Sequence, residues 1–308
     1  MSGGVLRIGT RGSKLALAQA EWIRRRLEAA NPGWRAELVV IRTSGDRITD
    51  VPLHQVGGKG LFVKELESAL LDGSIDAAVH SLKDVPGELA PGLQIAAVPE
   101  REDVRDVMIT RAAGGLAALP PGARIGTSSP RRAALLHNLY PQLAVVDLRG
   151  NVDTRLAKLE RGDVDGLVLA AAGLRRLGAA PAHAEPCDPR QFLPAIGQGA
   201  LALESAGGDV VERLRAVEHA PSRQQIDAER AFLTTIGGTC TTPLAGHAEL
   251  DGDQLTLRAA IAHPSGHPVL RGERRGAIAD GARLGAELAR ALLADGGAEV
   301  LRSLGWNG

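Results

Sequence analysis

Two stretches of this sequence resemble each other: Arg7-Ile8-Gly9-Thr10-Arg11-Gly12-Ser13-Lys14-Leu15-Ala16-Leu17 and Arg124-Ile125-Gly126-Thr127-Ser128-Ser129-Pro130-Arg131-Arg132-Ala133-Ala134-Leu135. Each reads as a short strand, a Gly-Thr turn, a serine, basic residues and an apolar helix. Ser13 is a candidate N-cap, and Pro130 suits the first turn of its helix. A second pair of similar stretches, residues 76–79 and 165–168, each precedes a turn and a base. The repeats predict two similar α/β halves facing each other across a cleft; chance similarity between two βα units is the alternative.

Basic residues lie at the start of both predicted helices. Arg11 precedes the first helix, and Arg131 and Arg132 open the second. The free N–H groups and the dipole of a helix N-terminus attract anions. We therefore expect each half to present an anion-binding helix end to the cleft.

Two further basic clusters follow predicted strands. Arg149 ends one strand, and Arg155 lies one helical turn after Asn151, so these two side chains can face the same side. Arg176 follows the next strand. A solvated helix tip would explain any one cluster, but clusters at the same end of successive strands favour an anion site.

The stretch from His80 to Pro86 follows an apolar run that reads as a buried strand. Strand ends of open α/β sheets are where such folds hold their ligands. Asp84 follows Lys83 there, and one carboxylate in a basic cleft suggests chemistry on an anionic substrate that develops positive charge. The alternative is a solvated turn with a Lys-Asp pair of little energetic weight.

Composition limits the classes of function. A chain of 308 residues with 44% apolar residues predicts a globular protein of two or three domains. Aromatic residues are scarce and the formal net charge is zero, which argues against nucleic-acid binding. We expect no membrane span, no signal peptide and no metal site, and a cytoplasmic location.

The C-terminal part reads as a small α+β module. Residues 254–261 alternate as a half-buried strand, residues 269–275 return as a second strand, and Leu284, Leu288 and Leu292 mark one face of a helix. Cys240 lies in a glycine-rich loop at the entrance to this module. Such a cysteine is within reach of a ligand; the alternative is a small buried hydrophobic residue.

Together these motifs resemble those of the porphobilinogen deaminase family, also called hydroxymethylbilane synthases, over nearly the whole chain. The matching stretches are Gly9 to Ser13, Gly57 to Phe62, His80 to Pro86, Gly126 to Arg132, Leu148 to Asn151 with Arg155, Gly197 to Gly199, and Glu229-Arg230 leading to Cys240-Thr241-Thr242-Pro243. One departure is Thr239, where the family usually has a small residue. A β-branched residue there restricts the conformation of the loop in which Cys240 lies.

The resemblance implies an α/β fold with two periplasmic-binding-protein-like lobes around a cleft and a small α+β C-terminal domain. The implied boundaries are residues 1–100 with 198–219 for the first lobe, 101–197 for the second lobe and 220–308 for the third domain. It also implies a monomer, and hand-over of the product to uroporphyrinogen-III synthase.

The implied enzyme joins four porphobilinogen molecules head to tail, releasing ammonia each time, into the linear tetrapyrrole hydroxymethylbilane. A dipyrromethane cofactor would be bonded covalently to Cys240. Asp84 would be catalytic, stabilising the cationic methylene-pyrrolenine that forms as ammonia leaves. The implied cofactor contacts are Lys83, Thr127, Ser128, Ser129, Arg131, Arg132, Gly150 and Arg155. The implied substrate contacts are Arg11, Ser13, Lys59, Phe62, Arg149, Arg176 and Gln198.

Two other functions compete with this one. A binding protein whose two lobes close on a carboxylate ligand would account for the repeat, but not for Asp84 in an anion site or for the module behind Cys240. Phosphoribosyl transfer would require a phosphate loop and magnesium carboxylates, and neither is visible in the sequence.

Overall fold

The computed structural model describes residues 4–44, 63–239 and 242–306 of the chain. The strands of these residues form two five-stranded sheets and one three-stranded sheet. The sheets and their helices confirm the predicted fold class of two α/β lobes and a small α+β domain. The exact domain boundaries stay a prediction. Among the described helices, none has the length and hydrophobicity needed to cross a membrane.

The first lobe begins with strands and helices that alternate along the chain. They are β1 (Val5–Thr10), α1 (Lys14–Ala30), β2 (Arg35–Val40), α2 (Lys64–Leu71), β3 (Ala77–Ser81) and β4 (Gln94–Ala97). A single 3₁₀ turn, Leu82–Asp84, follows β3. Because β1 pairs in parallel with β2 and β3, the carboxyl ends of these strands meet at one edge of the sheet.

The second lobe is built in the same way. Its elements are β5 (Asp106–Thr110), β6 (Arg124–Gly126), α3 (Pro130–Leu139), β7 (Ala144–Val146), α4 (Val152–Glu160), β8 (Gly166–Ala170), α5 (Ala171–Arg176) and β9 (Ala184–Pro186). The chain then returns to the first lobe as β10 (Leu201–Ser205) and α6 (Val210–Arg215). β10 lies antiparallel beside β3, as β5 lies antiparallel beside β8. The chain therefore crosses between the lobes twice. The first crossing connects β4 to β5 (residues 98–105), and the second connects β9 to β10 (residues 187–200).

Equivalent hydrogen bonds support the internal repeat. The backbone N–H of Arg7 donates to Asp76 at 2.7 Å, and that of Arg124 donates to Asp165 at 2.8 Å. In each lobe the aspartate precedes the strand that pairs in parallel with the strand of the Gly-Thr turn. The similarity predicted from sequence is therefore confirmed as a structural repeat.

The Gly-Thr turns and serines have local physical reasons. A Cβ at Gly9 or at Gly126 would overlap an apolar side chain of the same lobe. Ser13 and Ser129 each cap their helix by accepting the backbone N–H three residues later, at 3.2 and 3.4 Å. Each cap satisfies one of the free donors at the helix end and leaves others for a ligand.

The C-terminal domain packs helices on one face of an antiparallel sheet. Its elements are α7 (Ala220–Ile236), β11 (Leu244–Asp251), β12 (Gln254–Ala262), β13 (Val269–Ala277), α8 (Gly281–Leu292) and α9 (Ala298–Ser303). The predicted apolar face of β12 is buried against Phe232 of α7 and Leu288 of α8. β11 begins at Leu244, so this sheet fixes the chain shortly after the position of Cys240 in the sequence.

A buried carboxylate on α7 joins the C-terminal domain to both crossings. Glu229 Oε1 accepts from Arg101 Nη1 of the first crossing at 2.7 Å. Its Oε2 accepts the backbone N–H of Gly197, in the second crossing, at 2.7 Å. Its Oε1 also accepts the N–H of Ala248 in β11 at 2.9 Å. One side chain thereby holds the two crossings against the third domain.

Candidate active site

The N-terminus of α3 carries an arginine pair whose partner the sequence analysis did not find. Arg131 and Arg132 are both buried, and both bind Asp106, the first residue of β5. Arg131 Nη1 donates to Asp106 Oδ2 at 2.7 Å, and Arg132 donates to Oδ1 through Nε at 3.0 Å and Nη2 at 2.7 Å. Burial alone would raise the pKa of Asp106, but the two guanidinium groups lower it to about 2. Asp106 therefore stays ionised and neutralises part of the charge of the pair.

Lys83 and Asp84 lie on the turn that follows β3, where the first lobe approaches the arginine pair. Burial, and then the positive charge of Arg132, lower the pKa of Lys83 to about 8, while Asp84 and Asp106 oppose this shift. Within the part of the chain that the structure describes, no hydrogen bond to the Asp84 carboxylate is present. The turn thus places a free carboxylate next to a cluster of cations.

Arg155, in the first turn and a half of α4, has no carboxylate partner in hydrogen-bond contact among the described residues. Its Nε donates to the carbonyl of Gly150 at 2.8 Å, and its Nη2 donates to Ser128 Oγ at 3.2 Å. Gly150 has a φ of +116°, a backbone conformation that favours glycine. Burial and the charges of Arg132 and Arg149 lower the pKa of Arg155, to about 10. This cation is held by neutral groups.

Arg176, at the end of α5, is a second cation of this kind. Its Nη2 donates to the carbonyl of Gly199, in the second crossing, at 2.6 Å. Burial lowers its pKa to about 10. Arg149 lies just before α4 and is half-buried.

The first turn of α1 meets the second lobe. Lys14 Nζ lies 2.8 Å from Asp153 Oδ2 of α4. Ser13 comes directly before Lys14, and Arg11 lies two residues before Ser13. Both side chains are half-buried, so the predicted anion contacts of the first lobe lie near those of the second.

Two buried polar atoms near the arginine pair have no hydrogen-bond partner among the described residues: Arg131 Nε and Gln198 Oε1. Gln198 is fully buried in the second crossing, and its Nε2 donates to Asp106 Oδ1 at 3.1 Å. Thr127 supports the same region, because its Oγ1 accepts the backbone N–H of Ser129 at 3.1 Å. Unpaired buried polar atoms are costly, so these two are candidate contacts for a polar ligand.

Comparison with known proteins identifies the family. The family model described as "Porphobilinogen deaminase, dipyromethane cofactor binding domain" matches residues 6–212, and "Porphobilinogen deaminase, C-terminal domain" matches residues 224–294. The chain belongs to the porphobilinogen deaminase family.

Curated relatives match over nearly their whole length. The porphobilinogen deaminase of Syntrophotalea carbinolica is 50% identical over 306 residues, which is 99% of this chain and 97% of the relative. That of Bordetella parapertussis is 50% identical over 301 residues, covering 97% of this chain and 96% of the relative. Among solved structures, the methionine-binding protein MetQ is similar with a TM-score of 0.45 and 12% identity, covering 76% of this chain and 97% of that chain.

The residues of this porphobilinogen deaminase family member fit an acidic cofactor. The family model that matches the two lobes is that of a dipyrromethane-binding domain. Among the residues that the structure describes, Arg131 Nε is unpaired, and Arg155 and Arg176 have only neutral hydrogen-bond partners. Carboxylates of a ligand would supply the missing acceptors.

Three predicted site residues, Lys59, Phe62 and Cys240, lie outside the described residues, so their roles stay predictions. The sequence has one other cysteine, Cys187, which is buried beside Asp106. Burial, followed by the charge of Asp106, raises the pKa of the Cys187 thiol to about 12. This cysteine is therefore a poor nucleophile at neutral pH.

Asp106 is the residue of this candidate site that could not be predicted from the sequence. Its only local signal is a carboxylate at the start of the apolar strand that runs to Thr110. No pattern in the sequence relates it to arginines 25 and 26 positions later. The described residues contain no group of His, Cys, Asp and Glu side chains able to hold a metal ion.

Proposed function

We propose that this chain catalyses the porphobilinogen deaminase reaction, joining four porphobilinogen molecules head to tail into hydroxymethylbilane with release of ammonia. The observation that supports it is a set of buried and half-buried cations with few carboxylate partners among the described residues. In this part of the chain Arg155 and Arg176 hydrogen-bond to neutral groups, and Asp106 is the one carboxylate paired with Arg131 and Arg132. Each porphobilinogen carries two carboxylates, so a growing chain needs many cationic partners.

We assign the chemical step to Asp84. The aminomethyl group of porphobilinogen is an ammonium at neutral pH, so its departure as ammonia requires no strong acid. The substrate is left as a cationic methylene-pyrrolenine, and a carboxylate beside its pyrrole N–H stabilises that cation electrostatically. The Asp84 carboxylate suits this role because no described residue occupies it with a hydrogen bond.

The cations divide into two groups in this proposal. Those that hold the cofactor are Lys83, Arg131, Arg132 and Arg155, with Thr127, Ser128, Ser129 and Gly150. Those that hold the substrate are Arg11, Arg149 and Arg176, with Ser13 and Gln198, together with Lys59 and Phe62. Charge-assisted hydrogen bonds of this kind contribute about 1.5–3 kcal/mol each. When bound, the dipyrromethane supplies the pyrrole end to which the first substrate unit is joined.

We propose that the cofactor is attached through Cys240. The support is the burial and raised pKa of Cys187, the other cysteine in the sequence. The intact mass of the protein should exceed the sequence mass by one dipyrromethane, and Cys240→Ser should abolish the excess. Cys187→Ser is the matched control and should keep it. An excess that disappears with Cys187→Ser instead would contradict the assignment.

The proposal is tested by ammonia release from porphobilinogen and by the colour that the purified protein, free of porphobilinogen, gives with acidic p-dimethylaminobenzaldehyde. An enzyme with a bound dipyrromethane gives both signals. A two-lobe protein that binds carboxylates without chemistry gives neither, and that result would overturn the proposed function.

We further propose that the chain works as a monomer in the cytoplasm and hands its product to uroporphyrinogen-III synthase. The support is the family of its relatives and the absence of a membrane-spanning helix from the described residues. Sedimentation equilibrium tests the oligomeric state, and titration with the synthase tests hand-over. A stable dimer or the lack of any complex would contradict the respective point.

A further inference from the structure

We propose that Asp106 is a positioning residue, which orients Arg131 and Arg132 so that each guanidinium keeps one free edge for a ligand carboxylate. This inference rests on the proposed function. Asp106 is fully buried at the start of β5, on the element that enters the second lobe from the first crossing. No contact with substrate is assigned to it. It acts through the two arginines.

The hydrogen bonds of the pair show which donors are free. Arg131 uses Nη1 twice, for Asp106 Oδ2 and for the carbonyl of Leu193, both at 2.7 Å. Its Nε has no partner among the residues described here. Because a guanidinium has five N–H donors in a planar fork, the edge formed by Nε and Nη2 is left for a carboxylate.

Arg132 is held by the edge formed by Nε and Nη2, which is the edge that Arg131 leaves free. Its Nε and Nη2 both donate to Asp106 Oδ1, and its Nη1 donates to the carbonyl of Val168 at 2.9 Å. One hydrogen is left on each of Nη1 and Nη2. The two arginines thus offer different edges, and the shared carboxylate is what sets this difference.

Asp106 also reduces the repulsion between neighbouring cations. Arg131, Arg132 and Lys83 bring three positive charges together, and burial weakens the screening between them. Without Asp106, the guanidinium groups would separate, since like charges at close range repel in a site of low dielectric constant. The free edges would then no longer converge on one ligand.

A third donor ties this arrangement to the second crossing. Gln198 Nε2 donates to Asp106 Oδ1 at 3.1 Å and to the carbonyl of Val104 at 2.8 Å. Val104 belongs to the first crossing, so the carboxylate is oriented by the segments that connect the lobes. The orientation of the arginines is therefore coupled to the geometry of the crossings.

The test compares Asp106→Asn with the parent after production without cofactor. Both apoproteins are incubated with porphobilinogen, and loading with dipyrromethane is followed by intact mass. We expect loading of Asp106→Asn to be about 10- to 100-fold slower, the loss found when a partner that orients a metal ligand is removed. The matched control is Asp163→Asn, which removes an arginine-paired carboxylate on the surface of the same lobe. It should load like the parent.

A second comparison separates positioning from a purely structural role. Arg132→Lys removes one of the two guanidinium forks through which Asp106 acts and leaves Arg131. If the proposal holds, adding Asp106→Asn to Arg132→Lys slows loading by a smaller factor than adding it to the parent, because only Arg131 is left to be positioned. Independent structural effects would instead multiply, and that outcome would overturn the proposal even if each single variant loads slowly.

If urea unfolding shows that Asp106→Asn does not fold, the loading rate of Asp106→Glu is measured instead. It keeps the charge but moves it by one methylene, so we expect a folded protein that loads more slowly than the parent. Loading of Asp106→Glu at the parent's rate would overturn the positioning role. A parent that never gains the mass of a dipyrromethane would instead overturn the proposed function, so the two failures are distinguishable.

Discussion

Lys83 and Asp84 are neighbours with opposite charges, but their surroundings differ. Lys83 is partly buried against the arginine pair, and its pKa is lowered to about 8. Asp84 is half-buried and receives no hydrogen bond from a described residue. Lys83 is therefore suited to binding an anion, and Asp84 to interacting with a cation that appears during the reaction.

Replacing Asp84 should reveal whether its charge drives the reaction. Asp84→Asn keeps the shape and removes the charge, so turnover should fall about a hundred- to a thousand-fold, as for other preorganised electrostatic partners. Asp84→Glu keeps the charge and should retain more activity. The measurement is single-turnover ammonia release by cofactor-loaded protein, with the exposed Glu88→Gln as control. An Asn variant as fast as the parent would mean that another group stabilises the cation.

The lowered pKa of Lys83 predicts a pH dependence. As pH rises through about 8, the cofactor-free protein loses this positive charge and with it part of its attraction for the cofactor's carboxylates, so the rate of cofactor loading should fall. A bound anion stabilises the charged form of Lys83, so in the cofactor-loaded enzyme the corresponding loss of charge should lie at higher pH. Lys83→Arg stays charged and should lose the inflection near pH 8. An unchanged profile in that variant would assign the inflection to another group.

At the scale of elements, the second crossing contains both a close backbone contact and a carbonyl that holds Arg176, a predicted substrate contact. Gly199 has a φ of +86°, and a Cβ there would overlap the carbonyl oxygen of Glu102 in the first crossing. The carbonyl of Gly199 also accepts from Arg176 at 2.6 Å. A change in the spacing of the crossings should therefore displace a predicted substrate contact.

Gly199→Ala and Gly122→Ala form a matched pair. Gly122 has a similar φ of +81°, but no atom lies within 4 Å of the position of its Cβ. Its replacement by alanine should lower the free energy of unfolding by about 1–2 kcal/mol, which is the cost of the left-handed backbone conformation alone. Gly199→Ala should cost about 1–3 kcal/mol more, from overpacking, and should raise KM for porphobilinogen through Arg176. Urea unfolding and steady-state kinetics measure both; equal losses in the two variants would contradict the close contact.

At the scale of the whole molecule, a buried ion pair joins the C-terminal domain to both crossings between the lobes. Arg101 and Glu229 are nearly inaccessible to solvent, and Glu229 also binds both the second crossing and β11. A buried pair of this kind adds little stability compared with apolar residues, but the loss of one partner leaves an uncompensated charge. The pair therefore specifies how the domains are joined.

Arg101→Met should lower the free energy of unfolding by about 3–5 kcal/mol, because it leaves the Glu229 carboxylate buried and unpaired. Combining it with Glu229→Gln should restore part of the loss. Circular dichroism and tryptophan fluorescence follow the unfolding; Trp22 and Trp34 lie in the first lobe and Trp306 packs on the third domain. A double variant less stable than Arg101→Met would contradict an ion pair as the joining element.

Features that depend on neighbouring residues could be predicted from the sequence. Local sterics and hydrogen bonding explain the Gly-Thr turns, the caps Ser13 and Ser129 and the repeat of the two lobes. A short sequence pattern is therefore enough to predict them. The helix-end and strand-end positions of the arginines follow in the same way. Family membership was also within reach of the sequence, because its motifs occur in one order along the chain.

The pairing of the buried charges could not be predicted from the sequence, because it depends on how distant segments pack. Asp106 meets Arg131 and Arg132 because the strand it begins lies antiparallel beside β8, and Glu229 meets Arg101 across 128 positions of sequence. An aspartate is the same residue in the sequence whether its carboxylate is solvated or buried between two guanidinium groups. Its energy depends on the dielectric constant and the charges around it, and these exist only once distant segments have packed together.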